Sequence, residues 1–95
     1  NIIIKKYLLN LNSREISYNK KKTKLTEQEV KILVYMQKSK NTVKVEKLQK
    51  DIWGYSADLE THTVETHIHR LRKKFLNVFN DNNFIISSKE GYLIN

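Results

Sequence analysis

Residues 61–78 read THTVETHIHRLRKKFLNV, and this segment says more about the fold than any other. Its apolar residues recur at steps of four, three, four and three, which at about 100° per residue place them on one stripe of a helix. The stripe consists of Val64, Ile68, Leu71, Phe75 and Val78. We therefore predict a helix from about Thr61 to Val78 that buries this stripe in a core.

The opposite side of this helix carries groups that can hydrogen-bond to bases or phosphates. An α-helix fits the major groove of DNA, where each base pair presents its own donors and acceptors. Arg70 is the main candidate for reading a base, because its guanidinium can bind guanine O6 and N7 together. Thr66 and His69 are candidates for a base edge, a thymine methyl group or a phosphate. The predicted outer face comprises His62, Thr63, Thr66, His69, Arg70 and Lys73.

Phosphate binding has its own candidates on the same helix. His62, Thr63 and His67 lie near its N-terminus, where free backbone amides attract anions. Glu65 lies to one side, where it can accept from cytosine N4, orient Arg70 or cap the helix. Basic residues that hold phosphate without reading sequence are Arg72, Lys73 and Lys74.

Two further helices are predicted upstream. Thr26-Glu27-Gln28-Glu29 has the form of a capping box, which opens a helix that runs to about Lys38. A second helix runs from about Val45 to Trp53, and Gly54 ends it. The predicted apolar face of the first helix comprises Val30, Leu33, Val34 and Met36.

Strands are predicted at both ends of the chain. Residues 1–25 alternate short apolar groups with polar turns, which indicates a small antiparallel sheet. Residues 84–95 predict a β-hairpin with its tip at Lys89 to Gly91. This order is typical of a winged helix, an α+β fold. We expect one domain over 1–95, with the sheet in 1–25, three helices in 26–78 and the hairpin wing in 84–95.

Charge supports an anionic partner but does not decide it. The net charge is +8, which in a small domain favours nucleic acid. Residues 1–25 carry seven Lys or Arg and one acidic residue, whereas residues 61–95 carry five and three. A solvated lysine-rich surface therefore stays open as an alternative, as does a solvated hairpin tip at Lys20-Lys21-Lys22. The basic run Arg70 to Lys74 before a hairpin with a basic tip favours DNA binding.

Other classes of function have little support. The chain has no cysteine, and its three histidines lack the i, i+4 spacing of zinc-binding helices, so we expect no metal and no cofactor. The sequence contains no glycine-rich phosphate loop and no nucleophile–base motif, so we do not expect an enzyme. Apolar runs are too short to cross a membrane. Trp53 and Tyr92 are interpreted as core packing residues.

Four segments in order resemble the OmpR/PhoB class of response-regulator effector domains. The similarity covers nearly the whole chain and implies a winged helix-turn-helix that binds double-stranded DNA in the cytoplasm, associated with the nucleoid, and controls transcription. Helix 61–78 would lie in the major groove and wing residues 87–92 near the minor groove. The matching segments are Leu25-Thr26 to Glu29, Leu48 to Trp53-Gly54-Tyr55, Thr63 to Lys74, and Gly91-Tyr92.

The resemblance also implies roles for single residues. Arg70 and His69 match positions that read bases or nearby phosphates, and His67 and Arg72 match positions that bind phosphate. Lys89 matches a wing-tip arginine that enters the minor groove. Departures from the family pattern are His62 in place of a stronger base, Lys44 in place of a Ser or Thr N-cap, and Glu90 in a shortened wing.

Partners follow from the same resemblance. It implies an upstream receiver domain that a sensor kinase phosphorylates on Asp, and paired binding to direct repeats about one helical turn apart. The loop Tyr55 to Glu60 matches the segment that meets RNA polymerase in activators. The alternative is a winged helix that binds proteins without reading bases, with this loop as its main surface.

Overall fold

Four short strands form one antiparallel sheet in the order β1-β2-β3-β4. The computed structural model describes residues 1–54 and 61–95, so the loop Tyr55–Glu60 lies outside the described residues. Side chains alternate between the two faces, and Ile4, Tyr7, Leu9 and Ile16 are buried on the inner one. The expected N-terminal sheet is confirmed. Its strands are β1 (Ile2–Ile4), β2 (Tyr7–Asn10), β3 (Glu15–Tyr18) and β4 (Lys21–Lys24).

Helix α1 (Glu27–Lys38) begins with the predicted capping box. The Glu29 amide donates to Thr26 Oγ1 at 3.1 Å, and the Thr26 amide donates to Glu29 Oε1 at 2.8 Å. Its most buried apolar residues are Ile32, Leu33 and Met36, whereas the predicted Val30 and Val34 are half-buried at the edge of the core.

The second helix differs from its prediction. It is α-helical only over α2 (Val45–Leu48) and continues as a π-helical turn over Gln49–Trp53. Lys44 caps α2 without a side-chain hydrogen bond, as its identity predicts. In the π-helical turn, Asp51 accepts a hydrogen bond from Tyr35 of α1. Gly54, at φ 85°, then ends the turn by donating its amide to the Lys50 carbonyl.

Helix α3 (Thr61–Phe79) buries the predicted stripe. Val64, Ile68, Leu71 and Phe75 are at most 1% exposed. The prediction is wrong for Val78, which is only half-buried, while Phe79 packs on the core instead. Both positions lie about equally far from the centre of the stripe, and the longer ring of Phe79 reaches Tyr7 at 4.8 Å.

The wing consists of β5 (Ile85–Ser88) and β6 (Gly91–Ile94), which pair antiparallel around a turn at Lys89 and Glu90. Val43, before α2, exchanges two backbone hydrogen bonds with Tyr92 of β6, at 2.8 and 2.9 Å. The wing is therefore tied to the segment that enters the second helix. Its base is tied to α3, because Phe84 stacks on Phe75 with ring centroids 4.0 Å apart.

Gly91 is required for this arrangement. Its φ is 135°, and an added Cβ would lie 2.0 Å from the Val43 carbonyl oxygen. We expect Gly91→Ala to lower the free energy of unfolding by about 3 kcal/mol or more, from backbone strain and overpacking together. Gly54→Ala is the matched control, because its φ is 85° but nothing lies within 4 Å of the added Cβ. Urea unfolding would contradict this account if the two variants lost equal stability.

Tyr7 joins the sheet to the end of α3. Its hydroxyl donates to Asp81 Oδ2 at 2.5 Å, and its ring meets Phe75, Phe79 and Phe84. Burial raises the pKa of Tyr7 above its ordinary value, and the hydrogen bond and charge of Asp81 raise it further. The folded protein therefore favours the neutral phenol.

This raised pKa gives a pH test. We expect Tyr7→Phe to cost about 1–3 kcal/mol at neutral pH, because the hydrogen bond to Asp81 is lost. Since the folded pKa lies above the unfolded one, the contribution of Tyr7 is complete below about pH 10 and is lost as pH rises further. The stability gap between wild type and Tyr7→Phe should narrow in urea titrations above that pH. A gap that stayed constant to pH 11 would contradict the assignment.

Candidate nucleic-acid interface

The buried stripe of α3 leaves one exposed face that carries most of the predicted contact residues. His62, His69, Arg70 and Lys73 are exposed there, and Thr66 is half-buried. The Thr66 hydroxyl donates to the His62 carbonyl at 2.9 Å, so its oxygen remains available as an acceptor. These side chains point away from the core together and can meet a groove as one surface.

Two flanks border this face. On the wing side, Glu65 and Arg72 lie beside Tyr92, and a cleft of about 380 Å³ lies between α3 and the wing. Burial raises the pKa of Tyr92, the Glu65 carboxylate raises it further, and Arg72 lowers it. The cleft thus has one cation and one anion near its tyrosine, which limits its net attraction for phosphate. It is lined by His62, Glu65, Thr66, Ile68, His69, Arg72 and Tyr92.

On the opposite flank, His67 packs against Trp53. Their ring centroids are 5.3 Å apart with an interplanar angle of 47°. Trp53 is half-buried and packs against the core, as the sequence predicts. This contact joins the end of the π-helical turn to the first half of α3. His67 therefore has a packing role beside any contact with phosphate.

Lys74 has a partner that the sequence did not reveal. Its ammonium lies 2.6 Å from Oε1 of Glu29, whose side chain is only 1% exposed, and 3.1 Å from the Lys24 carbonyl oxygen. We expected Lys74 to bind DNA phosphate, but its ammonium already has an acidic partner inside the protein, Glu29. The available signal was weak: an acid at a helix start and a lysine on the flank of another helix.

The wing tip presents both charges. Lys89 and Glu90 are exposed, and the Glu90 amide donates to Ser88 Oγ at 3.3 Å. A second cleft, of about 530 Å³, lies between the wing and the start of α2 and includes both residues. The wing thus places Lys89 in the same cleft as Glu65 on the flank of α3, together with Glu90, an acid that repels phosphate. Among residues 1–54 and 61–95, no group of three or more metal-binding side chains occurs.

A protein-family profile described as "Transcriptional regulatory protein, C terminal" matches residues 20–94. The chain belongs to this family. The resemblance to OmpR/PhoB-type effector domains is thereby confirmed. This transcriptional regulatory domain is 35% identical over 68 residues to the transcriptional regulatory protein SrrA of Staphylococcus aureus (strain NCTC 8325 / PS 47). The match covers 70% of the chain and 28% of SrrA, so the domain spans less than a third of that relative's length.

Solved structures confirm the winged-helix fold of the domain. The DNA-binding domain of Escherichia coli CadC has a TM-score of 0.80 at 25% identity, covering 95% of this chain and 86% of that one. The C-terminal domain of the nisin resistance regulator NsrR has a TM-score of 0.80 at 25% identity, covering 99% and 96%. The AdeR DNA-binding domain, solved with an intercistronic region, shares the fold with a TM-score of 0.81 at 22% identity, covering 100% and 99%.

No helix within residues 1–54 and 61–95 is long and apolar enough to span a membrane. The predicted surface at residues 55–60 lies outside the described residues.

The pair Lys74–Glu29 gives a stability test for the support of α3. We expect Lys74→Met to lower the free energy of unfolding by about 3 kcal/mol, because it leaves a buried carboxylate without its cation. Lys73→Met, one residue away on the exposed face, should cost little. The double variant Glu29→Gln/Lys74→Met should recover stability relative to Lys74→Met, since a neutral Gln still completes a capping box.

Urea unfolding of all four proteins measures these differences. Equal losses in Lys74→Met and Lys73→Met, or no recovery in the double variant, would show that the pair is a surface contact of little consequence.

Proposed function

We propose that the domain binds double-stranded DNA sequence-specifically and controls transcription as the output part of a response regulator. The observation that carries this proposal is the exposed face of α3, which groups Arg70, His69 and Thr66 opposite the buried residues of the stripe, Val64 to Phe75. Membership of a family of transcriptional regulators supports it, as do structural neighbours that are named as DNA-binding domains.

The proposed contacts are of two kinds, those with base edges and those with backbone phosphates. In this proposal α3 lies in the major groove, where Arg70 binds a guanine edge and Thr66 and His69 touch neighbouring bases or phosphates. The wing, residues 87–92, lies near the minor groove with Lys89 at its tip. The residues that hold phosphate are His62, Thr63, His67, Arg72 and Lys73; Lys74 is left out because of its bond to Glu29.

The rest of the regulator is proposed from the family to which the domain belongs. Because the domain spans only part of SrrA, we infer a receiver domain upstream that a sensor kinase phosphorylates. Copies would bind side by side on direct repeats, and the loop Tyr55–Glu60 would meet RNA polymerase. Such a protein would act in the cytoplasm on the nucleoid.

Selection of bound duplexes from a random library identifies the preferred DNA site. The variant Arg70→Ala then tests whether Arg70 recognises a base in that site. We expect a loss of about 1–3 kcal/mol on that site, or about 5–150-fold in Kd, with relaxed preference at one base position. Lys73→Ala should instead weaken binding to all DNA sequences by the same factor. It should also reduce the slope of log K against log salt concentration by about 0.9. Lys38→Ala, on the exposed end of α1, is the charge-matched control.

The protein-interaction alternative predicts a different outcome. A domain that does not read bases would yield no enriched sequence at low ionic strength, and Arg70→Ala would behave like Lys38→Ala. That result would end the proposal of sequence-specific binding.

A further inference from the structure

A second cationic surface lies on the sheet, toward the C-terminal end of α3. The β3–β4 hairpin presents Lys20, Lys21 and Lys22, and Lys6 of the β1–β2 turn extends over Tyr18 with its ammonium 4.8 Å from the ring centroid. These five residues line a shallow hollow of about 540 Å³, which we call the lysine hollow. No acidic residue is among the described side chains that line it.

The charge of the lysine hollow is little compensated. Glu15 Oε2 lies 3.8 Å from Lys22 Nζ, but the two side chains are 41% and 68% exposed, and pairs so accessible to solvent contribute little. Within the described residues, Lys20 and Lys21 have no ion-pair partner. Residues 1–25 carry a net charge of +6, from seven basic and one acidic residue, and residues 61–95 only +2, from five and three. Most of the excess charge of the chain is therefore not on the reading helix.

The position of the lysine hollow separates it from the proposed reading face. Tyr18 packs against Tyr7 at 5.7 Å, and Tyr7 packs against Phe79, at the C-terminal end of α3. Phe79 lies roughly 20 Å along the helix axis from Thr66, at about 1.5 Å per residue. The major groove is only about 12 Å wide. A duplex whose major groove is read by Thr66, His69 and Arg70 would leave the lysine hollow outside that groove.

We propose that the lysine hollow is a second DNA-binding surface, which holds the phosphate backbone of another duplex segment without reading its sequence. Four ammonium groups supply point charges and donors for phosphate oxygens, and the hollow has no guanidinium for a bidentate base contact. Binding there depends on charge and therefore on salt. The proposal rests on the proposed function, because it makes the domain a bridge between two DNA segments.

A triple variant removes three of the four cations of the lysine hollow and keeps the β3–β4 hairpin. Lys20 has φ 69° next to Asn19 at φ 51°, a turn geometry in which glycine is the preferred second residue. Lys20→Gly therefore removes a cation without straining the turn, and Lys21→Thr and Lys22→Thr keep residues that favour strands. The matched control loses the same charge from α1 and the residues after it: Lys31→Gln, Lys38→Gln and Lys40→Gln.

The assay measures capture of a second DNA molecule. A short duplex of random sequence is immobilised and saturated with protein, and a second, fluorescent duplex is then added at low salt. We expect wild type and the control variant to capture the second duplex. We expect the hairpin variant to capture at least about tenfold less, with a salt slope smaller by about 0.9 for each of the lost phosphate contacts.

The outcomes distinguish the two proposals. If the hairpin variant captures the second duplex as well as the control does, the second surface does not exist, whatever Arg70→Ala shows. If Arg70→Ala leaves selected-site binding unchanged while the hairpin variant loses capture, reading by α3 fails and the lysine hollow stands. Loss of binding to polyglutamate, without loss of duplex capture, would assign the lysine hollow to an acidic protein and overturn the proposal.

Discussion

The carboxylate of Glu29 is a charge inside the protein, at the point where the sheet, α1 and α3 meet. Its Oε1 accepts from the Thr26 amide at 2.8 Å and from the Lys74 ammonium at 2.6 Å, while Lys74 also reaches the carbonyl of Lys24 at the end of β4. A buried charge is tolerated only when it is paired and hydrogen-bonded. The position of α3 relative to α1 is therefore set by a polar requirement as well as by apolar packing, and the outer face of α3 depends on it.

Further contacts hold α3 along the rest of its length. His67 packs on Trp53 in its first half, Phe75 stacks on the wing base at Phe84, and Phe79 meets Tyr7 of the sheet. Each contact joins α3 to a different element, so a 95-residue chain without cysteine can still present a helix in a defined orientation. A reading helix needs this, because hydrogen bonds to base edges tolerate little movement.

Patterns of local residues predicted most of this architecture. The 3.6-residue period located α1 and α3, Thr26 to Glu29 marked a helix start, and Lys89 to Gly91 marked the turn of the wing. The failures at Lys74 and at Gln49–Trp53 have different causes. A lysine on a helix flank looks the same whether it faces water or a buried acid, so the pairing of Lys74 was missed. An α-helix and a π-helical turn use the same residue types, and their difference at Gln49–Trp53 lies in hydrogen bonding.

The distribution of charge over the domain bears on the balance between nonspecific affinity for DNA and recognition of a particular sequence. Nonspecific affinity for DNA grows with every cation that meets phosphate, whereas specificity comes from oriented donors at base edges. Around the two clefts that border the wing, Glu46, Glu65 and Glu90 offset the cations Lys44, Arg72 and Lys89. Contacts with phosphate alone would therefore add little binding free energy there. In the proposed complex with DNA, binding there would rely on the fit of Arg70 and its neighbours to the bases. An excess of lysines on the same face would strengthen binding to every sequence equally and weaken that discrimination, so the proposal accounts for their placement on the β3–β4 hairpin instead.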